Sequence, residues 1–581
     1  MQIQQRTQVK DSELGEEVHP VLRRIYAARG VVNEADLRLE LGELLPPSQL
    51  KNCHTAADLL LTAMYAGKKI LVVGDFDADG ATSSALLVLC MRAFGYDLVD
   101  YLVPNRFQYG YGLTPEIVEV ALASLPDLMV TVDNGISSIE GVRQANKAGV
   151  DVLVTDHHLP GAELPEASCI LNPNQPGCEF PSKALAGVGV VFYLMSSLRS
   201  ALREQHWFES RGIAEPNMAS FLDLVALGTV ADVVPLDQNN RRLVKHGLGI
   251  IRSGKGRLGI RALLEVAGRN PNSVVANDLA FGAGPRLNAA GRLDDMSLGI
   301  ECLLTDNPGK ARELAVRLDG LNKDRRQIEQ QMQTQAMDAL QHLNIGDVSQ
   351  LGICLYDSHW HQGVIGILAS RIKEKFHRPC IVFADAGEEG DANMIKGSAR
   401  SIEGLHIRDV LDAVATTNPG LLNRFGGHAM AAGLAIHRED FEAFRAAFEK
   451  VLKKYLDQAI LKESTWVDGE LPPSSLTLDF AASLREAGPW GQHFPEPQFM
   501  GDFIVINNRV VGEKHLKLTL QAGEPKNPEA IVDAIAFNVD KQLLNLNLKQ
   551  VSLVYRLDVN EFRGVVTSQL VIEKIVEWNA R

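Results

Sequence analysis

The chain has 581 residues and a formal charge of −14, from 58 Lys and Arg against 72 Asp and Glu. At about 100–200 residues per domain, this length predicts several domains and excludes a single small binding module. A hydrophobic content of 46% and a charged content of 22% exclude wholesale disorder. The acidic balance argues against a nucleic-acid partner, because phosphate binding usually requires a basic surface.

The cysteines and the polar start of the chain indicate a cytoplasmic protein. The seven cysteines form no CxxC pair, which argues against a disulfide framework and against a thiolate zinc site. Residues 1–17 lack the apolar segment of a signal peptide. No run of about 18 apolar residues occurs, so we expect no membrane span.

The first half of the chain alternates between strand and helix patterns. Residues 1–50 are predicted to be an N-terminal extension with helical character. In residues 51–308, the strand-like segments KKILVVGDFD, DLMVTVDNG, VDVLVTDHH and FLDLVALGTVADVVP are interleaved with helical ones. Short buried strands that alternate with helices predict right-handed βαβ units and a parallel sheet.

The second half predicts a connector and two further domains. Residues 309–345 have almost no helix breakers and predict one long helix between two lobes. Residues 346–460 predict a second α/β domain, and residues 461–581 predict a small β domain, plausible as a barrel. The predicted fold class is therefore multidomain α/β with a C-terminal β domain. The aromatic side chains of the tail are predicted to lie mostly in its core; they are Trp466, Trp490, Phe494, Phe499 and Phe503.

The strongest local motif is the acidic sequence DFDADG, which contains Asp75, Asp77 and Asp79. A calcium-binding EF-hand loop also begins D-x-D-x-D-G, but it needs a Glu at its twelfth position and flanking helices. Here the twelfth position is Leu86 and the preceding segment is strand-like. The EF-hand interpretation is therefore excluded.

Further acidic and imidazole groups follow later predicted strands. Asp133 ends VTVDNG, the run 156–158 is Asp-His-His, and Asp232 lies in GTVADVVP. Four successive strands would deliver these groups to one edge of the sheet, where they would repel each other without cations between them. Carboxylates with imidazoles suit Mn²⁺ or Mg²⁺, and two such ions can drive in-line attack on a phosphoryl group.

These motifs, in this order, resemble those of the DHH phosphoesterase superfamily. The resemblance continues through RLNAAGRL (286–293), WHQGVIGILASR (360–371), KGSARS (396–401) and FGGHAMAAG (425–433). Within the superfamily, the chain is most similar to the single-stranded-DNA-specific 5′→3′ exonucleases. The resemblance implies a DHH domain, a DHHA1 domain and an OB-fold domain. It also implies two-metal hydrolysis of single-stranded DNA to mononucleotides with Mn²⁺ or Mg²⁺, in DNA repair and recombination.

The resemblance also implies roles for individual residues near the metals. Metal ligands would be Asp77, Asp79, Asp133, His157 and Asp232, with Asp133 bridging the two ions. His158 would contact the scissile phosphate, and Asp75 would be a direct or indirect partner of the metals. The superfamily often has a His at the position of Val73. We therefore expect one ion to bind weakly and activity to depend steeply on added metal.

The DNA-binding residues are likewise carried over from the resemblance. Arg106, Ser398 and Arg400 would form a pocket for a terminal 5′-phosphate. Gly426, Gly427 and His428 would hold the strand, because glycines let the backbone approach a phosphate closely. Arg286, Asn288 and Arg292 would contact the strand or order the cleft.

Two alternatives remain open from the sequence. One is a pyrophosphatase or a nuclease for very short or cyclic oligonucleotides, and the other is a non-catalytic DNA-binding scaffold. The expected partners are single-stranded DNA, a single-strand-binding protein and a helicase, and the protein is expected to be a monomer. Residues 241–292 carry a local charge of +8, from which we predict a cationic track for DNA despite the acidic total.

Overall fold

A computed structural model of the protein describes residues 2–8, 13–105, 109, 112–342, 350–386, 393–456, 464–524 and 527–580. The N-terminal segment contains strand β1 (Gln2–Gln5) and helix α1 (Pro20–Ala27), followed by short 3₁₀ turns. The helix is predictable from Pro20 at its first position, a common helix start, but the short strand is not. In the described residues, no helix is both long and apolar enough to cross a bilayer.

The N-terminal lobe is built on a five-stranded parallel sheet. Its helices and strands are α2 (Cys53–Tyr65), β2 (Ile70–Gly74), α3 (Ala78–Ala93), β3 (Val99–Leu102), α4 (Pro115–Leu122), β4 (Leu128–Val132), α5 (Ile139–Lys147), β5 (Asp151–Thr155) and β6 (Cys169–Leu171). The strand order is β3–β2–β4–β5–β6. Strands β2 and β4 are buried along their whole length, as expected for a sheet covered by helices on both faces.

A helical region follows the sheet and leads to the connector. Its helices are α6 (Gly187–Glu204), α7 (Trp207–Arg211), α8 (Leu222–Ala231), α9 (Gln238–Arg252), α10 (Leu258–Val266), α11 (Ala276–Asp278), α12 (Gly284–Leu293) and α13 (Ser297–Leu304). A π-helical turn, Leu279–Ala283, precedes α12 directly. The predicted long helix is present as α14 (Pro308–His342).

One secondary-structure prediction in this region is wrong. The segment FLDLVALGTVADVVP was predicted to be a strand, but it forms α8, and Asp232 is the C-terminal capping residue of that helix. Residues 222–229 are all buried, so the helix is apolar on every side and shows no helical period. A short apolar run of this kind cannot be assigned to helix or strand from periodicity.

The second lobe contains a mixed five-stranded sheet in the order β10–β11–β9–β8–β7. Its elements are β7 (Ile353–Tyr356), α15 (Ile365–Phe376), β8 (Cys380–Asp385), β9 (Met394–Arg400), α16 (Ile407–Thr417), β10 (Arg424–Gly427), β11 (Ala431–His437) and α17 (Phe441–Tyr455). Only β7 and β8 pair in parallel, and the β8–β9, β9–β11 and β11–β10 pairs are antiparallel.

The C-terminal domain is a closed five-stranded barrel. Its elements are β12 (Ser464–Val467), α18 (Leu478–Glu486), β13 (Phe499–Val511), β14 (His515–Glu524), β15 (Asn527–Ala536), α19 (Lys541–Leu544), β16 (Leu548–Phe562) and β17 (Val565–Ala580). Four of the five tail aromatic residues are buried as predicted, whereas Trp466 is 38% exposed.

The N-terminal segment fastens the barrel to the first lobe. Strand β1 pairs in parallel with β12, and the buried Arg29 guanidinium makes a bidentate ion pair with Asp468 at 2.7 and 3.1 Å. The Tyr26 hydroxyl donates to the carbonyl of Ala487. The described residues of this segment therefore contact the C-terminal domain.

Candidate active site

The site lies where the chain reverses its direction across the first sheet. Strands β3 and β4 lie on opposite sides of β2, so the connections diverge between β2 and β4 and leave a crevice at the carboxyl ends of the strands. Asp75, Asp133 and Asp156 directly follow β2, β4 and β5. Three adjacent strands thus bring these carboxylates to one edge, as the sequence predicts, and the end of α8 supplies Asp232 instead of a fourth strand.

The acidic loop after β2 is held by its own backbone. Asp77 caps α3, since its Oδ1 accepts hydrogen bonds from the amides of Asp79 and Gly80 at 2.9 and 3.1 Å. Gly80 is required here, because a Cβ would lie 2.4 Å from the carbonyl oxygen of Asp75. Asn288 Oδ1 accepts from the Ala78 amide at 2.8 Å, which ties the loop to α12.

Asp79 is buried against the start of α6. Its carboxylate accepts hydrogen bonds from the amides of Gly187 at 2.6 Å and Val188 at 3.0 Å. Burial, together with the charge of Asp77, nevertheless raises the pKa of Asp79 to about 7. In the absence of a cation, the carboxyl group is therefore only partly ionised in near-neutral solution.

His157 lies between two further carboxylates. Its Nε2 atom is 3.1 Å from Asp133 Oδ1 and 3.5 Å from Asp232 Oδ2. Burial and the charge of His158 lower the pKa of His157 to about 4, so the ring is neutral at pH 7. Burial, and then the charges of the neighbouring aspartates, raise the pKa values of Asp133 and Asp232 well above the ordinary value.

Three sets of side chains bring their ligand atoms within 4.8 Å of one another: Asp75–Asp77–Asp133, Asp79–His157–Asp232 and Asp133–His157–His158. Asp133 and His157 each belong to two sets. Buried carboxylates with raised pKa values around a neutral imidazole fit divalent cations, which would replace the protons. Val73, at the position where the superfamily often has a His, is buried on β2 and supplies no ligand atom.

His158 is oriented by a carboxylate that the sequence reasoning did not assign to the site. Its Nδ1 lies 2.7 Å from Asp156 Oδ1, and Asp156 also accepts from the amides of Ile136, His157 and His158. Burial disfavours a charged His158, but the Asp156 hydrogen bond outweighs it and raises the pKa of His158 to about 9. The ring is therefore protonated at neutral pH.

Two asparagines also support the histidines and were missed. Asn172 Nδ2 donates to the carbonyl of His158 at 2.9 Å, and Asn174 Nδ2 donates to that of His157 at 2.6 Å. The signal in the sequence is weak, since LNPNQ after β6 resembles an ordinary turn.

The second lobe faces the metal ligands across a cleft. The ring centroids of His158 and His428 are 6.3 Å apart, although the two residues are 270 positions apart in the chain. The side chains of Ser398 and Arg400 lie together on β9, with a hydrogen bond of 3.0 Å between them. They contact the start of α15, where a Cβ on Gly366 would lie 2.8 Å from Arg400. Arg106 lies outside the described residues.

The three residues of the RLNAAGRL motif that were predicted to bind DNA or order the cleft each contact another part of the protein. Arg286 is buried and pairs with Asp319 of α14 at 2.7 Å. Asn288 binds the acidic loop, and Arg292 donates to the carbonyl of Gly363 in the second lobe at 3.1 Å. These contacts favour the predicted role of ordering the cleft over the predicted role of contacting the DNA strand.

The predicted cationic track over residues 241–292 is not present as such. Most of its arginines are buried or ion-paired: Arg241, Arg242 and Arg286 are buried, and Arg242, Arg252, Arg257, Arg261, Arg269 and Arg286 pair with carboxylates. The acidic partners lie mostly outside this stretch of sequence or at helical spacing within it. Local charge counting therefore overestimated the exposed positive charge.

Comparison with known proteins agrees with this architecture. Family models match the DHH family N-terminal domain over residues 69–229, the DHHA1 domain over 348–454 and the RecJ OB domain over 467–574. The fold and the site thus define a DHH-type protein that carries a DHHA1 domain and an OB domain.

Comparison with individual relatives identifies the family within this class. The single-stranded-DNA-specific exonuclease RecJ of Escherichia coli (strain K12) is 52% identical over 577 residues, which cover 99% of both chains. The chain belongs to the RecJ family of single-stranded-DNA-specific exonucleases. Crystal structures of RecJ from Thermus thermophilus match in complex with Mn²⁺ (TM-score 0.77, 32% identity) and with Mg²⁺ (TM-score 0.71, 30% identity). These matches cover 97% of this chain and 76% and 75% of the respective solved chains.

Proposed function

We propose that this protein hydrolyses single-stranded DNA from its 5′ end to mononucleotides with the help of two divalent ions, Mn²⁺ or Mg²⁺, in DNA repair and recombination. The observation that carries the proposal is the buried cluster in which Asp133 and His157 are each shared between two sets of ligand atoms. A non-catalytic scaffold would have no need to keep these buried, mutually repelling carboxylates.

The ligand sets divide the cluster between two ions. Asp75, Asp77 and Asp133 would hold one ion, and Asp79, His157 and Asp232 would hold the other. When bound, such a pair of ions lowers the pKa of water and neutralises the charge of the phosphoryl group under attack. The amides of Gly187 and Val188 keep the Asp79 carboxylate in place for this task.

In this proposal His158 would act on the scissile phosphate. Asp156 fixes its Nδ1, so the protonated Nε2 can donate to a phosphate oxygen or stabilise the leaving oxygen. His428 lies across the cleft and would donate to the same phosphate from the opposite side. The two imidazoles come from different lobes, and a strand bound between them would be contacted on both sides.

The polarity and the substrate preference would come from the second lobe. Ser398 and Arg400 would bind a terminal 5′-phosphate together with Arg106, because a guanidinium binds phosphate through two parallel hydrogen bonds. Gly426 and Gly427 would let the strand approach the backbone. A cleft that is bridged by the Arg292–Gly363 contact would exclude a duplex.

The cellular setting is also part of the proposal. We expect the protein to act as a monomer in the cytoplasm on single strands that a helicase exposes and a single-strand-binding protein covers. All seven cysteines are free and buried, which suits a reducing compartment.

The test uses single strands labelled at the 5′ or the 3′ end, the matching blunt duplex, and pyrophosphate, each with Mn²⁺, Mg²⁺ or EDTA. We expect mononucleotides from the 5′ end of single strands only, no product in EDTA, and a loss of about 10²–10³-fold in kcat for Asp133→Asn. Asp58→Asn, an exposed position on α2, is the matched control. Efficient cleavage of the duplex or of pyrophosphate would contradict the proposal.

A further inference from the structure

Half of one face of the second-lobe sheet is open toward the cleft. Helices α14 and α15 cover this face over β7 and β8 in one apolar cluster, and α16 and α17 cover the opposite face in another. The remaining half, over β9, β11 and β10, carries the exposed residues Arg424, Gly426 and Gly433.

The strand register places the side chains of this open half in rows. Lys396, Ala435 and Arg424 lie side by side in one row. In the next row, Ser398, Gly433 and Gly426 lie side by side, and a third row contains Arg400 and Ala431. Successive rows are about 7 Å apart, because side chains on one face repeat every second residue.

The catalytic centre lies at the third row. The amide of His428 donates to the carbonyl of Ala431 at 2.8 Å, and the His428 ring faces His158. The row with Lys396 and Arg424 is therefore on the side of Ser398 away from the scissile phosphate.

The row next to the two cations, which contains Ser398, has glycines at two positions where the fold does not require glycine. A Cβ on Gly426 or on Gly433 would meet no atom within 4 Å, and neither glycine has a positive φ. Gly427 differs, since its φ is 144° and a Cβ would lie 2.4 Å from the Ala431 carbonyl. A glycine inside a strand without such a reason often marks the close approach of a ligand.

Both cations belong to the open half of this face. Arg424 is exposed, and its side chain makes no hydrogen bond or ion pair with any residue that the structure describes. It lies close enough to α4 of the first lobe to help lower the pKa of Glu116, whose main partners are its own amide and Thr114. Lys396 Nζ is 3.5 Å from Gln362 Oε1 and is half-buried.

We propose that Lys396 and Arg424 form a second cationic pair that attracts the terminal 5′-phosphate of the substrate strand, beside the Ser398 row and on its side away from the scissile phosphate. The inference rests on the proposed function and adds two substrate-positioning residues to it. Lysine supplies a point charge and arginine a fork of donors, and the two residues lie two strand spacings apart, about 10 Å along the sheet, with Ala435 between them. Because the pair lies away from the reacting atoms, it acts on binding and not on the chemical step.

The test compares Lys396→Gln, Arg424→Gln and the double variant with Lys453→Gln and Arg445→Gln, which lie on α17 over the opposite face of the same sheet. Thermal unfolding first verifies that every variant is folded. With 5′-phosphorylated single strands, each cleft variant is expected to raise KM about three- to tenfold with kcat within twofold of wild type. The salt slope of kcat/KM should decrease by roughly 0.7 per residue. With 5′-hydroxyl strands, the increase in KM should be less than half as large.

Two results would overturn this inference: cleft variants that match the α17 controls, or equal effects on phosphorylated and hydroxyl ends. Binding of the same oligonucleotides without turnover, in EDTA, separates it from the proposed function. If wild type degraded no 5′ ends, the proposed function would fail. Weaker binding of 5′-phosphorylated strands by the double variant would still support the pair, and unchanged binding would reject it.

Discussion

At the residue scale, chemistry depends on a few side chains whose protonation is set by burial. His157 is neutral and His158 is protonated, although they are neighbours in sequence, because only His158 has a buried carboxylate on its Nδ1. One imidazole is thereby suited to a metal and the other to a phosphate. The sequence shows two identical residues here and gives no sign of this division.

The variant Asp156→Asn tests whether the Asp156 carboxylate keeps His158 protonated. Loss of the carboxylate lowers the pKa of His158, so the protonated ring is lost at lower pH. The alkaline limb of the kcat–pH profile should move toward neutrality, with a loss of about 10–100-fold at pH 8. Asp151→Asn, at the exposed start of β5, is the control. An unchanged alkaline limb would show that Asp156 does not set the protonation of His158.

The acidic cluster predicts opposite pH effects on stability and on metal binding. Asp79, Asp133 and Asp232 have raised pKa values, so the metal-free folded state binds more protons than the unfolded state. Metal-free stability should therefore fall as pH rises from about 4 through 7, while Mn²⁺ affinity rises. Calorimetry at pH 5.5–8 with EDTA or Mn²⁺ measures both. In Asp133→Asn the metal-free pH slope should be smaller, and an equal slope would contradict the assignment.

At the element scale, α12 joins the acidic loop, the connector and the second lobe. Asn288, Arg286 and Arg292 make these three contacts from one short helix. The motif is thus explained by its position at the junction of three elements, which the sequence order alone could not reveal.

Arg286→Met measures the contact with the connector helix. The change leaves the buried Asp319 with Lys323 as its remaining cationic partner, so we expect a loss of about 1–3 kcal/mol in the stability of the first lobe. Arg261→Met, an exposed i,i+4 pair with Glu265, should cost less than about 0.5 kcal/mol. Urea unfolding followed by tryptophan fluorescence provides the values. Equal costs for the two changes would mean that the buried pair contributes little.

At the scale of the whole molecule, the N-terminal segment links the first lobe to the C-terminal domain. The N-terminal segment pairs with β12 and inserts Arg29 between the first lobe and the barrel. The barrel is therefore fixed in position relative to the lobe by an ion pair between residues 439 positions apart in sequence.

Arg29→Met should release the barrel. Asp468 would remain buried with its principal partner removed, and we expect a loss of about 3–5 kcal/mol at this interface. Differential scanning calorimetry should show a separate early transition, and small-angle scattering should show a larger radius of gyration. Arg38→Met, an exposed partner of Glu43, should leave both unchanged. A single cooperative transition in Arg29→Met would argue against this role for the segment.

The ordered motifs already determined much about this protein, whereas the net charge of −14 argued wrongly against a nucleic-acid partner. The period of the strands, the carboxylates at their ends and the motif order predicted the parallel sheet, the metal-dependent exonuclease class and its family, because these depend on local sequence. Only the tertiary structure decided which charges remain exposed, and it paired most arginines of residues 241–292 instead of leaving a cationic track. It also made a helix of the apolar segment before Asp232 and placed His428 opposite His158. Burial and pairing between distant residues cause these outcomes, and no local pattern encodes them.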